Sequence, residues 1–174
     1  MHLRKKKLLL AVPAVALAIG GGTAAAALSG SSGTAQLQML NRSDNVATVT
    51  SSTVYSDVPG ATLVTSVPAG RTQLVNARFT AESNCTRAIP ALGGWCSTRI
   101  VAQRVGGGTV ELSPAAGLDY AFDNVATDQF EGHAMERSLR LGPGTYIVRA
   151  QRAVTNPAIT FRLDDWHFAV EKSL

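Results

Sequence analysis

The sequence has few histidines and lacks the motifs by which many hydrolases and metalloenzymes are identified. Beyond His2 near the start, histidine occurs only at His133 and His167. There is no G-x-S-x-G nucleophile turn and no H-E-x-x-H zinc motif, and the glycine run 106–108 is not followed by the Lys-Ser/Thr pair of a phosphate-binding loop. We therefore expect no catalytic residue, no metal and no cofactor. A hydrolase without a recognisable motif remains an alternative.

Cysteine is also scarce, since the chain has only Cys85 and Cys96. An even number of cysteines favours a disulfide if the chain is exported, as its first 28 residues predict below, and closing a loop of this length stabilises a fold by roughly 3 kcal/mol in the loop-entropy model. Metal ligation is the alternative, but two thiols lack the further Cys or His ligands that zinc needs. The sequence predicts a Cys85–Cys96 disulfide.

Lysine is almost confined to the first seven residues. Arg4 and residues 5–7 form a cationic start, and an uncharged stretch rich in Ala, Leu, Val and Gly follows over 8–28. A cationic region, an apolar core and small residues before a cleavage point are the parts of a secretory signal peptide. We predict cleavage between Ala26 and Ala35, which makes the protein secreted and extracellular.

An uncleaved membrane anchor is the alternative, because residues 8–28 are long enough to span a bilayer. Pro13 and the glycines at 20–22 disfavour it, since they weaken a helix and add little hydrophobic transfer energy. The predicted organisation is a signal peptide at 1–28, a flexible linker and N-terminal segment at 29–45, and one domain at 46–174. We expect no membrane association after cleavage.

The predicted exported chain has no excess of charge of either sign. Four of the 16 lysines and arginines precede residue 8, so 12 remain against 12 aspartates and glutamates. The formal net charge of +4 and the pI of about 9.4 therefore come mainly from the signal segment. Nucleic acids bind basic patches, so we expect no nucleic-acid partner.

Apolar residues recur at every second position, which is the period of a half-buried strand. Val75, Ala77 and Phe79 alternate with polar residues, and turn formers rich in Pro and Gly separate such runs. Eight or nine strands result, near 46–55, 61–67, 72–82, 95–105, 109–112, 119–123, 132–141, 145–154 and 159–170. This spacing predicts an all-β antiparallel sandwich or barrel.

Two of these runs predict a hairpin. The segments 132–141 and 145–154 are joined by Gly142 to Gly144, and glycines supply the backbone angles that a tight connection needs.

The last run changes parity along its length. Phe161 and Leu163 share one side, and three later apolar residues share the other: Trp166, Phe168 and Val170. An extra residue in the strand would direct both sets to the core. The sequence therefore predicts a β-bulge at Asp164-Asp165.

Five segments carry a resemblance to known proteins, namely 52–60, 67–70, 77–83, 141–146 and 161–166. They resemble a group of exported bacterial proteins of unassigned function, and they are similar to jelly-roll modules of the tumour-necrosis-factor-like type in secreted and phage-tail proteins. The resemblance covers residues 46–171. It implies a jelly-roll β-sandwich and a homo-oligomer, and it supplies no catalytic residue.

The densest polar and aromatic cluster is Asp164, Asp165, Trp166 and His167, which we predict as ligand-binding residues. A tryptophan ring can stack on a sugar while a carboxylate binds its hydroxyls. Alternatively, Trp166 lies in the core, because its parity matches that of Phe168. Catalysis by the two aspartates is not expected, since neighbours on a strand face opposite sides and a glycosidase holds two carboxylates across a cleft.

A second acidic group, Asp119, Asp123, Asp128 and Glu131, offers oxygens that calcium prefers. Its spacing does not match a D-x-D-x-D loop, and a solvated connection is the favoured interpretation.

These features favour a secreted, non-enzymatic binding or structural module. Its ligand is unknown, with a glycan or a protein as the partner classes, and a carbohydrate-binding module is the first alternative.

Overall fold

The computed structural model describes residues 37–88, 93–125 and 129–173. The predicted signal peptide and its cleavage region lie outside these residues. In the described part of the chain, no helix is long and apolar enough to cross a membrane.

The regular secondary structure of the described residues consists of ten strands and one short 3₁₀ turn, Gly117–Asp119. The strands are β1 (Leu37–Asp44), β2 (Thr48–Thr50), β3 (Ser56–Val67), β4 (Gln73–Arg87), β5 (Trp95–Arg104), β6 (Thr109–Glu111), β7 (Asp123–Asn124), β8 (Glu131–Leu141), β9 (Gly144–Val154) and β10 (Ile159–Ser173).

The strands form two antiparallel sheets that face each other. The first sheet has the order β1-β10-β4-β8, and β2 also pairs with β10. The second sheet has the order β3-β9-β5-β6, and β7 pairs with β5. Successive long strands alternate between the sheets, as in a jelly roll. The predicted all-β, antiparallel, jelly-roll-like sandwich is confirmed.

The strand inventory differs from the prediction at its margins. The described strands number ten, against the predicted eight or nine, because β1 precedes the first predicted run; the predicted runs 46–55 and 119–123 correspond only to the short strands β2 and β7. Strand β1 lies within 29–45, the segment predicted as linker and N-terminal segment, and pairs with β10 from Leu37↔Ser173 to Asp44↔Trp166. Within 38–44 only Leu40 is partly buried, so β1 shows little of the alternation that identifies a strand.

The predicted hairpin between 132–141 and 145–154 is wrong. β8 pairs with β4 in the first sheet, whereas β9 pairs with β3 and β5 in the second. The glycines reverse the chain as expected, but they carry it from one sheet to the other. A tight turn fixes only the reversal, and the partner of each strand depends on the whole fold.

The predicted bulge in the last strand is confirmed. Asp164 pairs with Glu82 and His167 with Thr80, so Asp165 and Trp166 both lie opposite Ala81. Asp165 takes a positive φ of 42°. The apolar residues on both sides of the bulge are buried, at 2% exposure or less: Phe161, Leu163, Trp166, Phe168 and Val170.

One hydrophobic core lies between the sheets. β4 contributes alternate residues from Val75 to Ala81, all at most 4% exposed, as the sequence predicts. The Phe79 ring lies 5.9–6.4 Å, between centroids, from three other rings: Phe122, Trp166 and Phe168. Burying one such side chain contributes about 1.5–3 kcal/mol, so the core is the main term holding the two sheets together.

The predicted disulfide is also confirmed. Cys85 on β4 is bonded to Cys96 on β5, so the bond connects the first sheet to the second. Both cysteines are buried within the core.

Candidate functional site

The predicted ligand-binding cluster is divided between the core and the surface. Trp166 is 2% exposed and its ring packs on Phe79, with 6.4 Å between centroids. A Cβ added at Gly60 would lie 3.1 Å from the Trp166 ring, so the second sheet approaches the indole closely. The ring is therefore a core element, and the interpretation of Trp166 as a sugar platform does not hold.

The polar members of that cluster stay near the surface. Asp165 and His167 are exposed, and Asp164 is partly buried and accepts a hydrogen bond from Arg162 at 3.2 Å. A shallow depression of about 510 Å³ lies beside the bulge and is lined by Ser43, Asp44, Asn45, Asp165, Trp166 and His167. Ligand binding in this depression stays a prediction.

The second acidic group does not converge on a metal. Asp123 is buried and accepts hydrogen bonds from the Ser83 hydroxyl at 2.7 Å and from the Asn124 amide at 2.7 Å. Asp119 is exposed on the 3₁₀ turn, and Asp128 lies outside the described residues. Among the residues that the structure describes, no three His, Cys, Asp or Glu side chains are arranged to hold a metal ion.

A serine, an aspartate and a histidine do meet at this place. The His133 Nε2 atom lies 3.8 Å from Asp123 Oδ1, on the carboxylate that Ser83 also contacts. However, Ser83 is fully buried and donates its hydrogen bond to the aspartate. A nucleophilic serine needs an accessible oxygen bonded to a base, so this arrangement is a structural one.

The outer face of the second sheet carries a different cluster. Antiparallel pairing aligns outward-facing residues of β3, β9, β5 and β6 in rows, because directly opposed residues point to the same side. One row is Asp57, Gln151 and Arg99, the next is Thr62, Arg149, Val101 and Glu111, and a third is Val64, Ile147 and Gln103.

An irregularity in β3 lets Asp57 contact residues of both the first and the second row. Asp57 pairs with Gln151 and Thr62 with Arg149, so the four residues 58–61 stand opposite a single position of β9. The inserted residues include Gly60, whose φ is +80°. The insertion holds Asp57 where it contacts both Gln151 and Arg149.

These side chains form one continuous hydrogen-bonded chain. Asp57 accepts from Arg149 Nη1 at 3.1 Å and from Gln151 Nε2 at 2.7 Å, and Arg149 Nη2 donates to the Gln103 amide oxygen. At the other side, Arg99 Nε donates to Gln151 Oε1 at 2.8 Å. Arg99 Nη1 also lies 3.5 Å from Glu111 Oε2.

A loop closes one end of this face. Glu111 Oε1 accepts hydrogen bonds from the backbone amides of Ala116 and Gly117, at 3.1 and 3.2 Å. The Trp95 indole donates to the carbonyl of Leu118 at 2.7 Å. The loop at 112–122, between β6 and β7, is therefore fixed to the sheet, and we call it the wall.

Tyr55 occupies the corner between the wall and the sheet. Its hydroxyl donates to the Gly117 carbonyl at 2.7 Å and shares a 2.6 Å hydrogen bond with Ser97. The Arg99 guanidinium lies over its ring, 4.1 Å from the centroid. Burial raises the pKa of the Tyr55 hydroxyl above its ordinary value, although the Ser97 hydrogen bond acts in the opposite direction.

We call this cluster the polar face, and define it as Tyr55, Asp57, Arg99, Gln103, Glu111, Arg149 and Gln151. Its charged groups remain accessible, with side-chain exposures from 17% for Glu111 to 41% for Asp57. The sequence identifies Arg149 and Gln151 only as the polar side of a strand. Their partners lie about 50 and 90 residues away, and only the topology brings them together.

Comparisons with known proteins add little to this picture. No protein-family model matches the chain, and no curated protein matches it. Among solved structures, the CBM22-1 xylan-binding domain of Xyn10C from Paenibacillus barcinonensis is similar at 11% identity and a TM-score of 0.34, over 79% of this chain and 96% of that domain. At this TM-score the likeness establishes no function.

Proposed function

We propose that the protein is a secreted, non-catalytic module that binds carbohydrate on the polar face. The single observation that carries the proposal is the continuous network from Gln103 through Arg149, Asp57, Gln151 and Arg99 to Glu111. It places planar polar groups side by side on an accessible sheet surface, and each group is held in place by its neighbours.

Such a surface suits a sugar chain. A hydroxyl both donates and accepts, and two neighbouring hydroxyls match the forked ends of a guanidinium, a carboxylate or an amide. Groups fixed before binding lose little rotamer entropy when the ligand arrives. The Tyr55 ring adds an aromatic edge where the wall meets the sheet.

The same contacts argue against glycoside hydrolysis on this face. A glycosidase needs one carboxylic acid that stays protonated and a second carboxylate across the bond. Asp57 accepts hydrogen bonds from Arg149 and Gln151, and Glu111 accepts from the backbone amides of Ala116 and Gly117. Both carboxylates therefore act as acceptors within the protein's own hydrogen-bond network.

Export is the other part of the proposal. Disulfides persist in oxidising compartments, and the confirmed Cys85–Cys96 bond agrees with the signal segment predicted at 1–28. N-terminal sequencing of the protein from culture medium tests it, with a start between residues 27 and 36 as the expected result.

Affinity electrophoresis through gels that contain soluble polysaccharides tests the binding proposal. We expect a polysaccharide to retard the exported protein, and the R149A/Q151A variant to bind at least about tenfold more weakly because two fixed donor groups are lost. The matched control is R78A/E136A, which removes an Arg–Glu pair 3.2 Å apart on the outer face of the first sheet.

A third variant separates the polar face from the depression beside the bulge. D165A/H167A should keep the retardation of the wild type, since both residues lie on the other sheet. Loss of retardation in this variant, with R149A/Q151A unaffected, would place the ligand in the depression and refute the proposal.

A further inference from the structure

We infer that the polar face selects uncharged glycans and rejects anionic ones. This inference rests on the proposed function and specifies its ligand class.

The charges of the polar face are paired within the face. Arg149 Nη1 lies 3.1 Å from Asp57 Oδ2, and Arg99 Nη1 lies 3.5 Å from Glu111 Oε2. Two arginines thus face two carboxylates, and the face has no net charge. An anionic ligand that pairs with either guanidinium through two N–H groups would compete with the carboxylate already bound there, and a displaced carboxylate would lose its own partner.

The surroundings add no excess of positive charge. Asp119 is exposed on the wall, and the Arg137 guanidinium lies 4.4 Å from the ring centroid of the neighbouring Tyr120, so the wall carries a charge of each sign. The predicted exported chain carries equal numbers of acidic and basic residues, so it has no long-range attraction for polyanions. Nothing in these surroundings therefore offsets the cost of displacing a carboxylate of the face.

The free hydrogen-bonding capacity of the face suits neutral hydroxyls. The carboxylate oxygens have further lone pairs, and the guanidiniums and amides have further N–H groups beyond those used in the network, apart from the Arg149 Nε–H group, which is buried. Donors and acceptors alternate along the chain of contacts. A neutral sugar satisfies both kinds, whereas a carboxylate or sulfate group on the ligand supplies acceptors only.

The experiment compares polysaccharides that share a backbone and differ in charge. Hydroxyethylcellulose is paired with carboxymethylcellulose, and dextran with dextran sulfate, and retardation of the exported protein is measured for each. We expect a neutral member to retard the protein at least about tenfold more strongly than its anionic partner. Retardation by the neutral member should change by less than about twofold between low and high salt.

The D57N variant provides a gain-of-function test. It removes the carboxylate from Arg149 while keeping the side-chain shape, and leaves the face with one net positive charge. We expect D57N to acquire retardation by the anionic member at low salt and to lose it at high salt. E136Q, which makes the same charge change on the outer face of the first sheet, should acquire none.

The outcomes distinguish a failure of this inference from a failure of the proposed function on which it rests. Stronger binding of an anionic member that R149A/Q151A abolishes would overturn the inference and leave the proposed function standing. No retardation by any of these polysaccharides, or retardation that R149A/Q151A does not affect, would overturn both.

Discussion

At the scale of single residues, the polar face depends on side chains that hold one another. Asp57 is the clearest case, because its two oxygens accept from two different residues of β9. Carboxylates bound in this way lose rotamer freedom before any ligand arrives. A single residue therefore fixes the positions of both Arg149 and Gln151.

The ionisation of the Tyr55 hydroxyl can be followed by titration, and it reports on the contact between Tyr55 and the wall. Its pKa is raised because burial outweighs the opposing hydrogen bond from Ser97 and the nearby Arg99, while Glu111 and Asp119 act in the same direction as burial. A tyrosine whose pKa is higher in the folded than in the unfolded state contributes stability at pH values below its unfolded-state pKa of about 10. That contribution is lost as the pH rises through the folded-state pKa. We therefore expect the protein to lose stability above about pH 10 as Tyr55 ionises.

Ultraviolet difference titration at the tyrosinate band measures this directly. The wild type should show a late-ionising tyrosine, and Y55F should lack that component while Y120F retains it. If Y55F leaves the late component in place, the description of Tyr55 as partly buried against the wall is wrong.

At the scale of elements, the bulge in β10 determines which of its side chains enter the core. It reverses the parity of the strand so that Phe161 and Leu163, and then Trp166 and Phe168, all enter one core. Without it, one set would face water and lose about 1.5–3 kcal/mol for each large side chain.

Substitutions at Asp165 test the bulge. Its φ of 42° is a left-handed conformation that glycine adopts freely and β-branched residues adopt poorly. We expect D165V to lower the free energy of unfolding by about 1–2 kcal/mol and D165G to leave it unchanged or raise it slightly. Urea denaturation measures both, and equal stabilities for the two variants would contradict the assigned backbone.

The elements also show what the sequence can and cannot predict. The bulge was predictable because the parity of apolar residues is a local property of β10. The pairing of β8 and β9 was not, because the glycines 142 and 144 allow a reversal within a sheet or between sheets equally well. β1 was missed because its exposed faces carry no alternation.

The sequence could not predict the polar face, because its contacts depend on the whole fold, as the pairing of β8 and β9 does. Its side-chain hydrogen bonds join residues 46 to 94 positions apart, and each residue alone is an ordinary polar residue. The cluster predicted instead, around Trp166, was conspicuous in composition, yet its indole serves the core.

At the scale of the whole molecule, the disulfide is a covalent cross-link between the two sheets, in addition to the chain segments that join them. It closes a loop over a sequence separation of 11 residues. In the loop-entropy model its loss costs roughly 3 kcal/mol. We expect reductant to shift the urea midpoint of the wild type downward by a corresponding amount, and unfolding curves that coincide with and without reductant would contradict this.

Assembly belongs to the same scale. A homo-oligomer stays a prediction from the jelly-roll resemblance, and sedimentation at several protein concentrations tests it. A monomer at every concentration would remove it, and would leave the polar face accessible on each molecule.

Nuclear magnetic resonance gives the most direct test of the central claim, which is that the outer face of the second sheet is the recognition surface. A neutral oligosaccharide from the polysaccharide that retards the protein is titrated into the labelled protein, and backbone amide shifts are followed. The account predicts shifts concentrated on β3, β5 and β9 around Asp57, Arg99 and Arg149. Shifts concentrated on the first sheet, or at residues 43–45 and 165–167, would contradict it.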